Sequence, residues 1–304
     1  LNSLPLNANA LIEAQLHKCA ESLEEILKSD VLAVQGPIVG GVDDIIRDVV
    51  EEKKSGSTRN NLHVVLTTLG GYIEVVQRVV DTLRHHYANV EFVIPSHAFS
   101  AGTVLALSGD AIHMDYYSRL GPIDPQVPSR TGRMISALGY LKKWEGLLEK
   151  AQKGTITLPE VQLMIDGFDQ AELYAYEQAR ALTISLLQDW LAKYKFKNWN
   201  LTESRKVPVT DGMKKERARE IATILNETDR WHVHGNGISM EVLRRDLNLV
   251  IDDFGTKEKQ ALSNQIKQYN SLLVDYVMKT GYHGAIHSTN IYRPYYAEDS
   301  MEGG

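Results

Sequence analysis

Three short segments hold residues whose types and spacing suit chemistry. The first is His97-Ala98-Phe99-Ser100-Ala101-Gly102-Thr103. A serine that opens a helix of small residues has its hydroxyl beside backbone N–H groups that lack helical acceptors. That setting suits a nucleophile whose tetrahedral intermediate needs stabilising. The same serine also reads as an ordinary N-cap, with small residues behind it for close helix–sheet packing. The second segment, Leu69-Gly70-Gly71, separates a strand from a helix. Glycine tolerates positive φ and close backbone approach, so the turn can aim amides at a phosphate or an oxyanion, or simply turn tightly. In the third, His232 and His234 follow Asp229-Arg230-Trp231. Imidazole is the side chain that titrates nearest neutrality, which makes either histidine a candidate base. Two histidines at i, i+2 could hold a metal, but no carboxylate or cysteine pattern completes that site, so no metal and no cofactor are expected. His97 is read as a capping or packing residue. Leu120-Gly121-Pro122-Ile123-Asp124-Pro125-Gln126 reads as a rigid, shaped loop.

Periodicity supplies the elements that must position these residues. Apolar spacing predicts helices over 10–29 and 42–54, with a short strand over 31–34 between them. The β-branched run Leu62–Thr68, then 90–94 and 111–114, read as strands, separated by helices over 72–86 and 100–108. Strand–helix–strand at this spacing means right-handed crossovers and a parallel sheet, and strands apolar on both faces fit a sheet covered on both sides. Helices are predicted over 133–152, 158–166 and 169–195, then a polar loop over 196–211 and a helix over 214–226. Residues 231–237 read as irregular, and Ser239 as the N-cap of a helix over 240–246. A strand over 247–251 and a helix over 256–280 follow. The tail from 281 shows no periodicity.

Composition narrows the function classes. The chain has 304 residues, 43% hydrophobic, enough for a large core without staples. The formal charge is −6, which argues against a generic nucleic-acid binder. Arg130, Arg133 and the basic residues at 193–197 read as complements to a helix dipole. One cysteine, Cys19, excludes an internal disulfide and a cysteine-ligated zinc. Neither an 18-residue apolar run nor a signal-peptide pattern is visible, so the expected compartment is the cytoplasm. The first residue is Leu1 rather than Met, which leaves an upstream segment open.

The segments TTLGGYIEVVQRVVDTLR (67–84) and PSHAFSAGTVLALSGDAIHMDYYSRLGPIDPQ (95–126) together resemble the serine dehydrogenase proteinase family. That family is related to signal peptide peptidase A and to the proteolytic subunit of Clp, within the Clp/crotonase fold. A weaker match continues through RWHVHGNGIS (230–239) and LNLVID (247–252). The resemblance implies an α/β Clp/crotonase-like parallel sheet with repeated β-β-α and βαβ units. It divides the chain into an N-terminal helix (1–30), a peptidase domain (31–255) carrying a helical insertion over about 133–195, and a C-terminal helix and tail (256–304). Relatives use that insertion in oligomer contacts.

Residue by residue, the resemblance implies that Ser100 is the nucleophile. It makes the Gly70 and Ala101 amides the oxyanion hole, with Gly71 shaping the turn. The base departs from the pattern. The Clp subunit has a histidine on the loop that here reads Ile123-Asp124-Pro125-Gln126. Signal peptide peptidases take a lysine from a later helix, which here reads Ala175-Tyr176-Glu177-Gln178-Ala179-Arg180. Asp229 falls where the Clp subunit has its triad aspartate, so His234 oriented by Asp229 is the expected base. His232 and the lysines Lys142, Lys143, Lys150 and Lys153 are alternatives. The expectation is a cytoplasmic, homo-oligomeric serine peptidase acting on a peptide or protein, with no nucleic acid and no membrane segment. A catalytically inactive scaffold or interaction protein on the same fold is the alternative. A crotonase-type enzyme acting on an acyl thioester would not need Phe99-Ser100-Ala101-Gly102.

Overall fold

Valine- and leucine-rich runs joined by amphipathic helices can bury both sheet faces only in a layered α/β arrangement. The computed structural model, which describes residues 7–124, 126–128, 134–202, 206–231 and 237–297, has that arrangement. The first part of the chain forms α1 (Ala8–Leu27), β1 (Asp30–Gln35), α2 (Val42–Ser55), β2 (Asn61–Thr67), α3 (Ile73–His86), β3 (Asn89–Val93), β4 (His97–Ala98), α4 (Ala101–Leu107) and β5 (Ala111–Met114). Next come β6 (Arg119–Leu120), β7 (Gln126–Pro128), β8 (Met134–Ser136), α5 (Ala137–Gln152), α6 (Leu158–Gly167), α7 (Gln170–Trp190) and α8 (Asp211–Leu225). The remainder forms α9 (Thr228–Trp231), β9 (Ile238–Ser239), α10 (Met240–Leu247), β10 (Asp252–Asp253), α11 (Gln260–Thr280), β11 (Gly284–Ser288) and β12 (Ile291–Tyr295).

The main sheet has seven strands in the order β10-β5-β3-β2-β1-β11-β12. Strands β10 to β1 run parallel, and β11 and β12 are antiparallel. One face, with Leu32, Val34, Val64, Leu66 and Phe92, packs on α2, α3, α4, α8 and α10. The other, with Val31, Ala33, Val65 and Val93, packs on α1 and α11. A second, three-stranded sheet, β4-β6-β9, stands beyond the C-terminal ends of the parallel strands and carries the Ser100 segment.

Three expectations are corrected. The tail after 281 is not irregular: β11 and β12 form a hairpin, and β11 pairs antiparallel with β1, Leu32 opposite Ser288. All five residues of β11 are buried because both faces of the sheet are covered there, Ile286 in the core with α2 and Ala285 in the core with α1 and α11, so no alternation betrays it. The strand expected over 247–251 is displaced to Asp252–Asp253, because Asn248 ends α10 in the left-handed region and Asp252 pairs with His113. The helix expected to run to 195 is α-helical only to Trp190 and closes with a π-turn over Leu191–Lys195.

In the expected insertion, Leu138, Leu141 and Leu173 form a small core between α5 and α7. The end of α7 joins the main core through Leu187 and Trp190.

Candidate active site

Strand β2 ends where the sheet passes into the glycine turn. Thr68 continues it by bridging to the Ser100 segment: its N–H donates to His97 O at 3.1 Å, and its carbonyl accepts from Phe99 N at 3.0 Å. The turn is then held from the other side. Ile38 N donates to Gly70 O, and Tyr72 N donates to Ile38 O, both at 2.8 Å. Neither glycine can be replaced cheaply. Gly71 sits at φ 152°, and a Cβ there would stand 1.9 Å from Ile38 O. Gly70 sits at φ 110°, and its Cβ would meet Phe99 O and Ser100 Cβ at 2.8 Å. The turn therefore lies directly against Ser100.

Ser100 has φ 51° and ψ −121°, a positive-φ conformation that costs a non-glycine residue about 1–3 kcal/mol. It stands at the N-cap position of α4, yet its hydroxyl makes no capping hydrogen bond. Among the described residues its Oγ has no partner at all. Thr103 holds the bend from beneath. Its fully buried hydroxyl lies 2.7 Å from Ala98 O and 2.9 Å from Gly121 O, and accepts from Gly121 N at 2.9 Å. One buried oxygen thus ties β4, α4 and the loop after β6 together. Gly102 permits the packing, since a Cβ there would meet the Thr68 methyl at 2.3 Å.

The amides around Ser100 divide sharply. Gly70 N donates to Thr68 Oγ1 at 3.0 Å, in a buried position. The Gly71 and Ala101 amides have no acceptor among the described residues, and Gly71 is exposed. The glycine turn lies against Ser100 and Ala101 follows it, so amides left without acceptors there can receive a negatively charged oxygen.

The expected base residues are not brought together with Ser100 among the described residues. His232 and His234 lie outside them. Asp229 falls on α9, its side chain outside the described set. The flanking backbone does approach: β9 begins at Ile238, opposite Leu120, and Leu120 lies opposite Ala98. His97 faces Ser96 Oγ at 3.0 Å and packs on Phe99, and burial lowers its pKa. Asp124 is buried. Lys142, Lys143, Lys150 and Lys153 are all exposed on or just after α5. Lys150 pairs with Glu160 and Lys153 with Glu149. A groove between α5 and α6, lined by Tyr140, Leu163 and Phe168, contains the alternative bases Lys142, Lys143 and Lys150 but not Ser100, Gly70, Gly71 or Ala101.

Thr68 and Thr103 escaped sequence reasoning. The available signal was position: each is a hydroxyl beside a glycine-rich or small-residue turn.

Comparison with known proteins follows the same residues. The family profile described as ClpP-like SDH-type serine proteinase matches residues 42–198, more than half of the chain. Uncharacterized protein MJ0137 of Methanocaldococcus jannaschii is 27% identical over 207 residues, covering 68% of this chain and 59% of that protein. Uncharacterized protein MJ1495 of the same organism is 29% identical over 116 residues, covering 38% and 37%. The chain thus spans less than two thirds of the length of either relative. Among solved structures, an alanine mutant of the 1510-N membrane-bound stomatin-specific protease aligns with a TM-score of 0.45 at 12% identity, covering 77% of this chain and 82% of that one. ClpP1 from Listeria monocytogenes aligns with a TM-score of 0.41 at 11% identity, covering 77% and 96%.

Proposed function

Because the chain belongs to the family of ClpP-like SDH-type serine proteinases, we propose that it cleaves peptide bonds in peptides or proteins with Ser100 as nucleophile. The observation that carries this reading is the Ser100 hydroxyl, without a partner among the described residues, on a positive-φ bend packed against the glycine turn. A scaffold has no use for such a bend, and thioester chemistry on a crotonase-type site needs no hydroxyl there.

In the proposed reaction Ser100 Oγ bonds to the scissile carbonyl carbon as its proton passes to the base. The carbonyl π pair moves onto oxygen, where the Ala101 and Gly71 amides receive it. Gly71 replaces Gly70 in this role because the Gly70 amide is already bonded to Thr68 Oγ1. Collapse of the intermediate breaks the C–N bond, and the base returns the proton to the leaving amine. Water then hydrolyses the acyl-enzyme by the same route.

His234, oriented by Asp229, is the proposed base. Support comes from β9, which starts four residues after His234 and belongs to the same small sheet as β4. Subunit contacts are proposed on α6 and α7, where Leu158, Leu163, Ile165 and Tyr174 are 54–86% exposed. No helix among the described residues is long and apolar enough to cross a membrane. A cytoplasmic location is part of the proposal.

A fluorophosphonate probe tests the central claim. It should label Ser100 in the wild type and not in Ser100→Ala, with both proteins folded. Equal labelling of the two proteins would refute the assignment. An unlabelled wild type would favour the scaffold. With His234 as base, the labelling rate should rise through one ionisation near pH 6–7, about the free imidazole value. A rate still climbing well above pH 8 would point to one of the four lysines instead.

A further inference from the structure

Three neighbouring parallel strands place His63, Glu91 and His113 on one face of the sheet, away from the serine. The register sets His63 opposite Glu91, and His113 opposite Val93, two residues along the same face. The strands advance about 3.3 Å per residue, so His63 precedes the Thr67 end of β2 by roughly 13 Å. His113 Nε2 lies 2.7 Å from Glu91 Oε2, and His63 Nε2 lies 3.3 Å from the same oxygen. One ligand atom from each of the three residues falls within 4.8 Å of the others. The rings are 5.4 Å apart and tilted by 40°. We propose that His63, Glu91 and His113 bind one divalent transition-metal ion, with zinc the best match.

Donor type and geometry both favour that ion. Two borderline imidazoles with one hard carboxylate make a donor set that zinc accepts, and three protein ligands leave a fourth position for water. Tetrahedral bonds of about 2.1 Å would set the donors roughly 3.4 Å apart, so a small rotation of the Glu91 carboxylate opens the centre. Both imidazoles are nearly buried on rigid backbone, while the Glu91 side chain is 30% exposed and gives an ion a way in.

The outer groups fit as well. Asp252 Oδ2 stands 3.5 Å from His113 Nδ1, the nitrogen turned away from Glu91. A carboxylate there keeps the proton on Nδ1 and leaves Nε2 its lone pair. Among the described residues His63 Nδ1 is buried and without a partner, which leaves that nitrogen able to carry the ring proton while Nε2 faces an ion. Lys195 opposes the ion: it is partly buried, feels the charges of Glu91 and Asp252, and donates to Val250 O at 2.7 Å.

The test uses the whole chain, stripped with chelator and titrated with zinc chloride or cobalt chloride. Wild type should bind one equivalent, melt several degrees higher, and show cobalt d–d bands of a low-symmetry nitrogen–oxygen site. Glu91→Gln and His113→Asn should each weaken zinc binding by at least about tenfold, and Asp252→Asn by about 10–100-fold. Unchanged affinity in Glu91→Gln would overturn the proposal and assign the binding to a surface site such as His85–His86. X-ray absorption fine structure on the zinc-loaded wild type needs no substitution. It should show two imidazoles with oxygen, and any other first shell overturns the site.

Discussion

Two regions at the sheet hold polar side chains and use them in opposite ways. Around Ser100, among the described residues, the hydroxyl has no partner and two amides lack acceptors, and the backbone is bent into a positive φ. Beneath α1 and α11, His17 Nδ1 lies 3.0 Å from His287 Nε2, and Tyr269 Oη makes a short contact to His287 Nδ1. Here each polar atom meets another polar atom, and His287 and Tyr269 are completely buried. Burial drives the His287 pKa down to about 3, so the ring stays neutral and cannot serve as a base that cycles near neutrality. Residue type alone would rank the histidines above a small serine. Unused hydrogen-bonding capacity ranks the serine first.

Filling the glycine turn should break the contrast most severely. Gly71→Ala sets a Cβ into Ile38 O and onto a disfavoured φ. It should cost about 2–6 kcal/mol and remove fluorophosphonate labelling, as read by denaturant unfolding and probe kinetics. A stable, fully labelled Gly71→Ala protein would show that the turn does not have this shape.

Acid should attack the other region. His287 is neutral in the fold and titrates near 6.5 when unfolded, so the unfolded chain takes up the extra proton. Its contribution is complete above about pH 6.5 and falls by up to about 1.4 kcal/mol per pH unit below that, until the folded pKa is reached. His17 shifts in the same direction. Urea midpoints measured from pH 7 to pH 4 should decline accordingly, and less so in His287→Gln if that variant folds. Equal slopes in both proteins would remove His287 from the account.

Thr103→Val sharpens the comparison by unmaking one satisfied node under an unsatisfied one. It removes the hydroxyl from Ala98 O and Gly121 O and should cost about 1–3 kcal/mol. Labelling should slow more than the stability loss explains, because the serine bend loses its anchor. The smallest effect concerns the bend itself. Ser100→Gly should be more stable than Ser100→Ala by about 1–3 kcal/mol, since glycine accepts φ 51° and alanine does not. The opposite order in thermal melts would argue against strain at this position.

Much of this was legible in the sequence. Leu62–Thr68 and Leu69-Gly70-Gly71 announce a buried strand and a tight turn, and the small residues after Ser100 announce close packing on the sheet. Other features depend on distant partners. Asp252–Asp253 has little strand propensity and pairs only because β5 lies beside it. Gly284–Ser288 carries no alternating pattern because successive side chains enter the two cores on opposite faces of the sheet. Pro294 reads as a breaker, yet an edge strand such as β12 accepts it. Thr103 binds a carbonyl 18 residues away. His63, Glu91 and His113 meet only through strand register, so no local spacing could reveal them. The proposed choice of the Gly71 amide over the Gly70 amide rests on one side chain, Thr68.

The pairing of β1 with β11 also constrains how the chain is made. Ser288 Oγ donates to Val31 O across 257 residues of sequence. At ribosomal speeds of about 5–20 residues per second, β1 waits roughly 13–50 s for its antiparallel neighbour. Until then one edge of the nascent sheet is bare, with α1 lacking the helix it packs against. Such an edge is a template for other strands, and a chaperone that shields residues 30–35 during translation would raise the yield of folded protein.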